Sequence, residues 1–301
     1  MRAVVVGAVG STEVLINALI ADPAWELALV VTVPPELHGR HSDIVDLSDL
    51  AAEAGCALHF TAHTNDEPTL AAVRRAEPDY IFVVGWSQLC RSEFLALKPG
   101  RIVGYHPAAL PRLRGRAVLP WTILLDEKIT AGSLFWLEEG TDDGDLIAQE
   151  FFHVAPDETA TTLYARHMLA LGAMLARVLP ELASGRQPRT AQDERYATYA
   201  AKRTPSDGLI NWAAGAREID RLVRAVGRPY PGAFSYLGDE KLILWKSSPA
   251  ADDGRYHARP GQIVACGDDT LVVQTGDGLL QVEDWELEGQ SRPRIHAVLG
   301  R

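Results

Sequence analysis

The chain has 301 residues, 47% hydrophobic and 23% charged, with a formal net charge of −11 and a pI near 5.3. These are values of a globular protein long enough for one large domain or two smaller ones, with a sizeable core. The acidity argues against nucleic-acid binding, which rests on Lys and Arg contacts to phosphates, although a local basic patch can override a global sign.

Residues 2–6 read as a first buried strand. The opening Met1-Arg2 and the apolar run behind it resemble a signal peptide only superficially, because the run is short and Ser11-Thr12-Glu13 interrupts it. Residues 14–21 follow as a helix with Ser11 as N-cap. Next come a strand over 26–32, a helix over 46–54, a short strand over 57–60 and a helix over 70–76. A strongly apolar strand covers 80–84. A helix end over 94–97 is closed by Pro99-Gly100, and the next strand covers 101–105. This alternation predicts a mostly parallel sheet with helices on both faces. A helix over 115–125 and strands over 132–137 and 146–152 complete the first half. Residues 159–183 carry Leu163, Met168, Leu171, Met174, Leu175, Val178 and Leu179 at helical spacing, which predicts a long helix covering the sheet, with Pro180 kinking or shortening its last turn.

Residues 190–207 are polar and weakly periodic and read as a linker. A helix over 216–226 and short β runs over 232–236, 241–246, 261–265, 270–274 and 278–285 then predict a small β-barrel. The domain boundaries are therefore 1–189, a linker over 190–207, and 208–301. No stretch approaches the roughly 20 apolar residues of a membrane span. Cys56, Cys90 and Cys266 are far apart and form no zinc pattern, as expected of reduced thiols in a cytoplasmic protein.

Four places carry candidate chemistry. Gly7, Gly10 and Ser11 lie between a strand and a helix but lack the full dinucleotide fingerprint, so a plain tight turn is favoured. His59 and His63 have metal-ligand spacing, but His59 lies in a strand-like run where such a pair is too far apart to chelate; no metal site is expected. His106 stands at a strand end before a rigid loop, where open α/β sheets bind ligands. Asp142 and Asp143 sit in an acidic loop between Gly140 and Gly144, flanked by apolar strands, and a carboxylate near an imidazole can orient it.

From His106 to Arg116 the chain reads His-Pro-Ala-Ala-Leu-Pro-Arg-Leu-Arg-Gly-Arg, and from Asp142 to Asp145 it reads Asp-Asp-Gly-Asp. These segments resemble the paired signatures of the formyltetrahydrofolate-dependent N-formyltransferases. That family includes methionyl-tRNA formyltransferase and the sugar and small-amine N-formyltransferases. Residues 196–212 and 228–234 resemble its C-terminal domain, so the resemblance covers nearly the whole chain.

The resemblance implies a Rossmann-like catalytic domain followed by a helix and an OB-like barrel. It implies a one-carbon transferase of biosynthesis that moves a formyl group from 10-formyltetrahydrofolate to an amine, with no metal. By the same resemblance His106 stabilises the reacting centre or shuttles the proton, and Asp142 orients it. The folate would lie along Trp86, Gln88, Leu89, Cys90, the Ala108, Ala109, Leu110, Pro111 loop, Arg116, and the Glu138, Glu139, Gly140, Thr141 loop. The family's asparagine falls at position 104, where this chain has Gly104. A backbone N–H, a water or Gln88 is a replacement donor. Tyr105 is disfavoured, because strand alternation points it to the other face.

The acceptor is expected to be a small-molecule amine, either a nucleotide-linked amino sugar or an ornithine-type amine. Arg40, His41, Arg112 and Arg114 could bind either acceptor or simply be solvated. Methionyl-tRNA is the alternative acceptor and is disfavoured, because residues 34–46 hold one arginine and three acids. A non-catalytic folate-binding relative and a folate deformylase are further readings. Subunits could pair as a homodimer through an apolar barrel face.

Overall fold

In the computed structural model the described residues are 1–40, 43–252, 254–267 and 269–300. They cluster into two compact units. The first comprises Met1–Val118, Ile129–His153 and Tyr164–Ala201; the second comprises Leu119–Lys128, Val154–Leu163 and Lys202–Arg301.

The first unit carries β1 (Arg2–Val6), β2 (Glu26–Thr32), β3 (Ala57–Phe60), β4 (Tyr80–Val83), β5 (Ile102–His106), β6 (Arg114–Gly115), β7 (Ile129–Trp136), β8 (Leu146–His153) and β9 (Tyr199–Ala200). Seven strands form one sheet in the order β3-β2-β1-β4-β5-β7-β8. β1 to β5 pair in parallel, whereas β7 and β8 run antiparallel. The runs Val-Val-Val, Leu-Val-Val and Ile-Phe-Val are buried on both faces, as a covered parallel sheet requires. The helices along this part of the chain are α1 (Gly10–Ala21), α2 (Ser48–Glu53), α3 (Glu67–Arg75), α4 (Ser92–Leu95), α5 (Val118–Leu124) and α6 (Ala160–Ala183), of which α5 belongs to the second unit from Leu119 on. One sheet face packs on α6 through Leu171, Met174, Leu175, Val178, Leu179 and Leu182. The other packs on α3 and α4 through Leu70, Val73 and Phe94.

Three local expectations change. α1 starts at Gly10 with Val9 as its N-cap, so Ser11 lies inside the first turn and is buried. Thr12 is the residue that fastens this turn, accepting from Val9 N and donating to Val84 O at 2.7 Å. A Cβ on Gly7 would collide with Thr12 and with Val84 O, so this glycine is needed for close packing. α6 runs past Pro180 to Ala183, because a missing N–H one turn from the end affects only the last turn. α5 begins at Val118 because Arg114 and Gly115 are extended and pair with β9.

The second unit contains α7 (Ala216–Val226) and β10 (Ala233–Leu237), β11 (Glu240–Ala250), β12 (Ile263–Cys266), β13 (Leu271–Gln274), β14 (Leu279–Glu288) and β15 (Leu299–Gly300). They form a six-stranded sheet in the order β12-β13-β14-β11-β10-β15. A bridge between Gln262 and Val298 and the bond from Leu299 N to Gly261 O bring the two edges together, curling the sheet into a small barrel. Among the described residues, no helix is long and apolar enough to cross a membrane.

Candidate functional site

The site grows from the C-terminal end of β5. Gly104 lies opposite Phe135 of β7, Tyr105 opposite Leu134 and His106 opposite Ser133. Strand alternation places Gly104 and His106 on one face and Tyr105 on the other. Accordingly Tyr105 Oη donates to His167 O at 3.2 Å and lies 3.3 Å from His167 Nδ1. Burial holds the Tyr105 phenol protonated and pushes His167 down to about 3, with His106 as a second cause for the histidine. Tyr105 is thus committed away from Gly104.

His106 is buried at 5% exposure. Its Nε2 lies 2.7 Å from the Leu113 carbonyl and its Nδ1 lies 3.5 Å from Asp142 Oδ2. The carbonyl can only accept, so Nε2 carries the proton and Nδ1 faces the carboxylate. Asp142 adopts φ 52° in the left-handed region, and its Oδ2 also accepts from Gly115 N at 2.8 Å. The structure therefore brings together the histidine and the acid, which are 36 positions apart by their numbers, 142 − 106.

Gly104 has no open space beside it. A Cβ there would collide with Leu137 Cδ1 and come within 2.8 Å of Phe135 ring atoms. Apolar side chains fill the region that a larger residue would occupy. Gln88 does not reach it either. Its Nε2 donates to Ala62 O at 2.8 Å, while its Oε1 accepts from Thr64 N and Oγ1. Neither side chain named as a replacement donor is aimed at position 104.

Two polar residues fasten the loop after His106. Ser133 Oγ donates to Ala108 O at 2.6 Å, and Gln149 Nε2 donates to Leu110 O at 2.9 Å. Ala108 and Leu110 are buried, whereas Ala109 and Pro111 are half-buried. The peptide between Leu110 and Pro111 is cis. Arg112 and Arg116 are exposed. Arg114 is only 1% exposed, so it is not a solvated loop residue. Its guanidinium bonds Glu194 at 2.6 Å, Gln192 Oε1 at 2.9 Å and the Tyr199 hydroxyl at 3.3 Å. Arg40 ends a 3-10 turn, Pro35–Arg40, and His41 lies outside the described residues.

Beside Leu137 a groove opens, walled by Leu95, Ala96, Ile102 and Leu137 and rimmed by Glu138, Glu139, Gly140 and Asp143. Thr141 is exposed in the same loop. Trp86 is half-buried and donates from Nε1 to Thr64 Oγ1. Leu89 is 68% exposed, and its carbonyl accepts from Asn65 Nδ2. Cys90 is buried and its thiol is pushed up to about 12 by burial. His59 and His63 do not converge: His59 Nε2 meets Thr69 Oγ1, and His63 is exposed. No cluster of three or more His, Cys, Asp or Glu side chains could hold a metal among the described residues.

The segment 190–200 is the part of the site that sequence reasoning missed. Thr198 Oγ1 accepts from Leu113 N, Thr198 O accepts from Arg114 N, and Ala200 O accepts from Arg116 N. Gln192 Nε2 donates to the carbonyls of Asp142 and Gly144, each at 2.8 Å. Strand alternation would set Arg112, Arg114 and Arg116 on one face, so nothing local singles out Arg114 for burial or names partners some 80 residues away.

The family model described as "Formyl transferase" matches residues 1–179, and the one described as "Formyl transferase, C-terminal domain" matches residues 202–300. Among solved structures the chain is similar to HypX from Aquifex aeolicus in complex with tetrahydrofolic acid (17% identity, TM-score 0.66, 94% of this chain and 43% of that one). It is similar to WlaRD, a sugar 3N-formyl transferase in the presence of dTDP and 5-N-formyl-THF (16%, TM-score 0.67, 94% and 97%). It is also similar to the N-formyltransferase from Helicobacter canadensis with folinic acid and dTDP-3-aminofucose (14%, TM-score 0.67, 95% and 100%). At such identities the likeness is one of fold. The chain spans less than half the length of HypX.

Proposed function

The chain belongs to the formyl transferase family, and we propose from that premise that it transfers a formyl group from 10-formyltetrahydrofolate to the amine of a small molecule. The observation that carries this reading is the His106 Nδ1–Asp142 Oδ2 pair, 3.5 Å apart at the carboxyl end of a central strand. An amine loses a proton as its nitrogen is acylated, and this pair is the proton-handling unit. The Leu113 carbonyl holds the imidazole by Nε2, and the Gly115 N–H holds the carboxylate. Both groups are thereby fixed before substrate arrives.

The groove beside Leu137 fits a folate. A flat pterin needs apolar walls and a polar edge. Leu95, Ile102 and Leu137 offer the first, and the backbone of Glu138–Gly140 offers the second. Glu138, Glu139, Gly140 and Thr141 would hold the folate from one side, and residues 86–90 and the Ala108–Pro111 loop from others, with Arg116 exposed for its acidic tail. When bound, the folate supplies the formyl group and leaves with the proton that the amine loses. The two sugar N-formyltransferases that resemble this fold along nearly their whole length support a nucleotide-linked amino sugar over an ornithine-type amine.

The test is formylation of an amine panel with 10-formyltetrahydrofolate, following tetrahydrofolate release. Formylation of amino-sugar nucleotides is expected. His106→Ala should abolish transfer while 5-formyltetrahydrofolate still binds, and undiminished turnover in that variant would sink the mechanism. Formylation of methionyl-tRNA alone would overturn the choice of acceptor. A second reading, a folate-binding relative without transfer, is favoured by the apolar filling beside Gly104. It predicts folate binding with no turnover on any arm of the panel.

A further inference from the structure

Gln192 lies in the segment that composition alone reads as a linker. Its side chain makes four contacts within the first unit. Oε1 accepts from Arg114 Nε at 3.2 Å and Nη2 at 2.9 Å. Nε2 donates to Asp142 O and to Gly144 O, each at 2.8 Å. An amide with two lone pairs and two protons is thereby fully used. One end grips a guanidinium that is 1% exposed, and the other grips the two carbonyls that bracket Asp143.

The Asp142 loop needs such a grip. Asp142 is a non-glycine residue at φ 52°, a conformation that the surrounding structure must impose. Its flanking residues Thr141 and Asp143 are exposed. The carboxylate is tethered by one hydrogen bond, from Gly115 N. Gly115 follows Arg114, so the guanidinium that Gln192 holds and the amide that Asp142 accepts from come from adjacent residues. Gln192 closes this ring from outside.

We propose that Gln192 is a positioning residue: its amide ties the Asp142 loop to the buried Arg114 and so sets where Asp142 Oδ2 stands relative to His106 Nδ1. The catalytic half of this inference rests on the function proposed above, and the structural half does not.

The Gly115 amide reports the structural half directly. Its neighbours Arg114 N and Arg116 N donate to Thr198 O and Ala200 O, whereas Gly115 N donates to Asp142 Oδ2. In Gln192→Ala, hydrogen exchange at Gly115 should rise about tenfold or more while Arg114 and Arg116 stay protected. In the same variant kcat should fall about tenfold or more, with 5-formyltetrahydrofolate affinity within about twofold of wild type. Gln192→Glu keeps the acceptor for Arg114 and loses only the donated bonds. It should show the same pair of effects and guards against an unfolded alanine variant. Glu194→Ala removes other bonds to the same guanidinium without touching the Asp142 loop, and should leave Gly115 exchange unchanged. Wild-type exchange at Gly115 in both Gln192 variants would overturn the proposal, as would equal acceleration in Glu194→Ala. A wild-type protein that transfers no formyl group would sink the functional reading, and exchange at Gly115 would still decide the positioning.

Discussion

Gly104 shows how a missing side chain can be a packing requirement. Leu137 and Phe135 occupy the space beside it, on the same face as His106. Placing an asparagine there is expected to destabilise the fold by about 1–3 kcal/mol, because the core must shift to admit it. Adding Leu137→Ala to Gly104→Asn should recover part of that loss, as read by urea unfolding. An unchanged midpoint for Gly104→Asn would refute the packing account. His106 and Asp142 were legible in the sequence as a histidine and an acidic turn in suggestive settings. Their 3.5 Å separation was not, since no spacing rule relates a strand end to a loop across an intervening helix and strand.

At the scale of elements, periodicity located nearly every strand of both sheets, because alternating or wholly apolar runs follow directly from burial. It missed β6 and β9, which are two residues each and pair across a separation in sequence that no local pattern records. It also missed why β7 is antiparallel to β5. That register sets Ser133 opposite His106, where Ser133 Oγ reaches the Ala108 carbonyl and accepts from Gln149. Ser133→Ala is expected to cost about 1–2 kcal/mol, since a buried hydroxyl is lost and the Ala108 carbonyl loses its donor. Chemical denaturation checks this; a loss below about 0.3 kcal/mol would show that the loop holds itself.

For the whole molecule, His167 makes stability pH-dependent. It occupies the buried stripe of α6 between Leu163 and Leu171, where burial depresses its pKa from 6.5 to about 3. Above pH 6.5 neither the folded nor the unfolded state binds its proton. As pH falls from 6.5 toward 3 the unfolded chain takes up that proton and the folded protein does not. Stability is therefore lost over that window, with a slope of up to about 1.4 kcal/mol per pH unit from this group. His167→Phe should flatten the slope while leaving Tyr105 Oη its bond to the residue 167 carbonyl. Urea unfolding at a series of pH values measures it, and an equally steep slope in the variant would refute the assignment.

By itself the sequence determined the architecture, because a parallel sheet under helices and a curled antiparallel sheet each demand a distinct hydrophobic period, and those periods are local. It also determined the family, because two short motifs carry rare combinations of histidine, proline, aspartate and glycine. Only the tertiary structure decided what each charged or polar residue does. Of three arginines in one loop it buried Arg114 and left Arg112 and Arg116 exposed. Part of a polar stretch read as linker became the strap that carries Gln192. The reason is physical: a buried polar group must find its hydrogen-bond partners, and in this fold those partners come from segments that are distant in the chain.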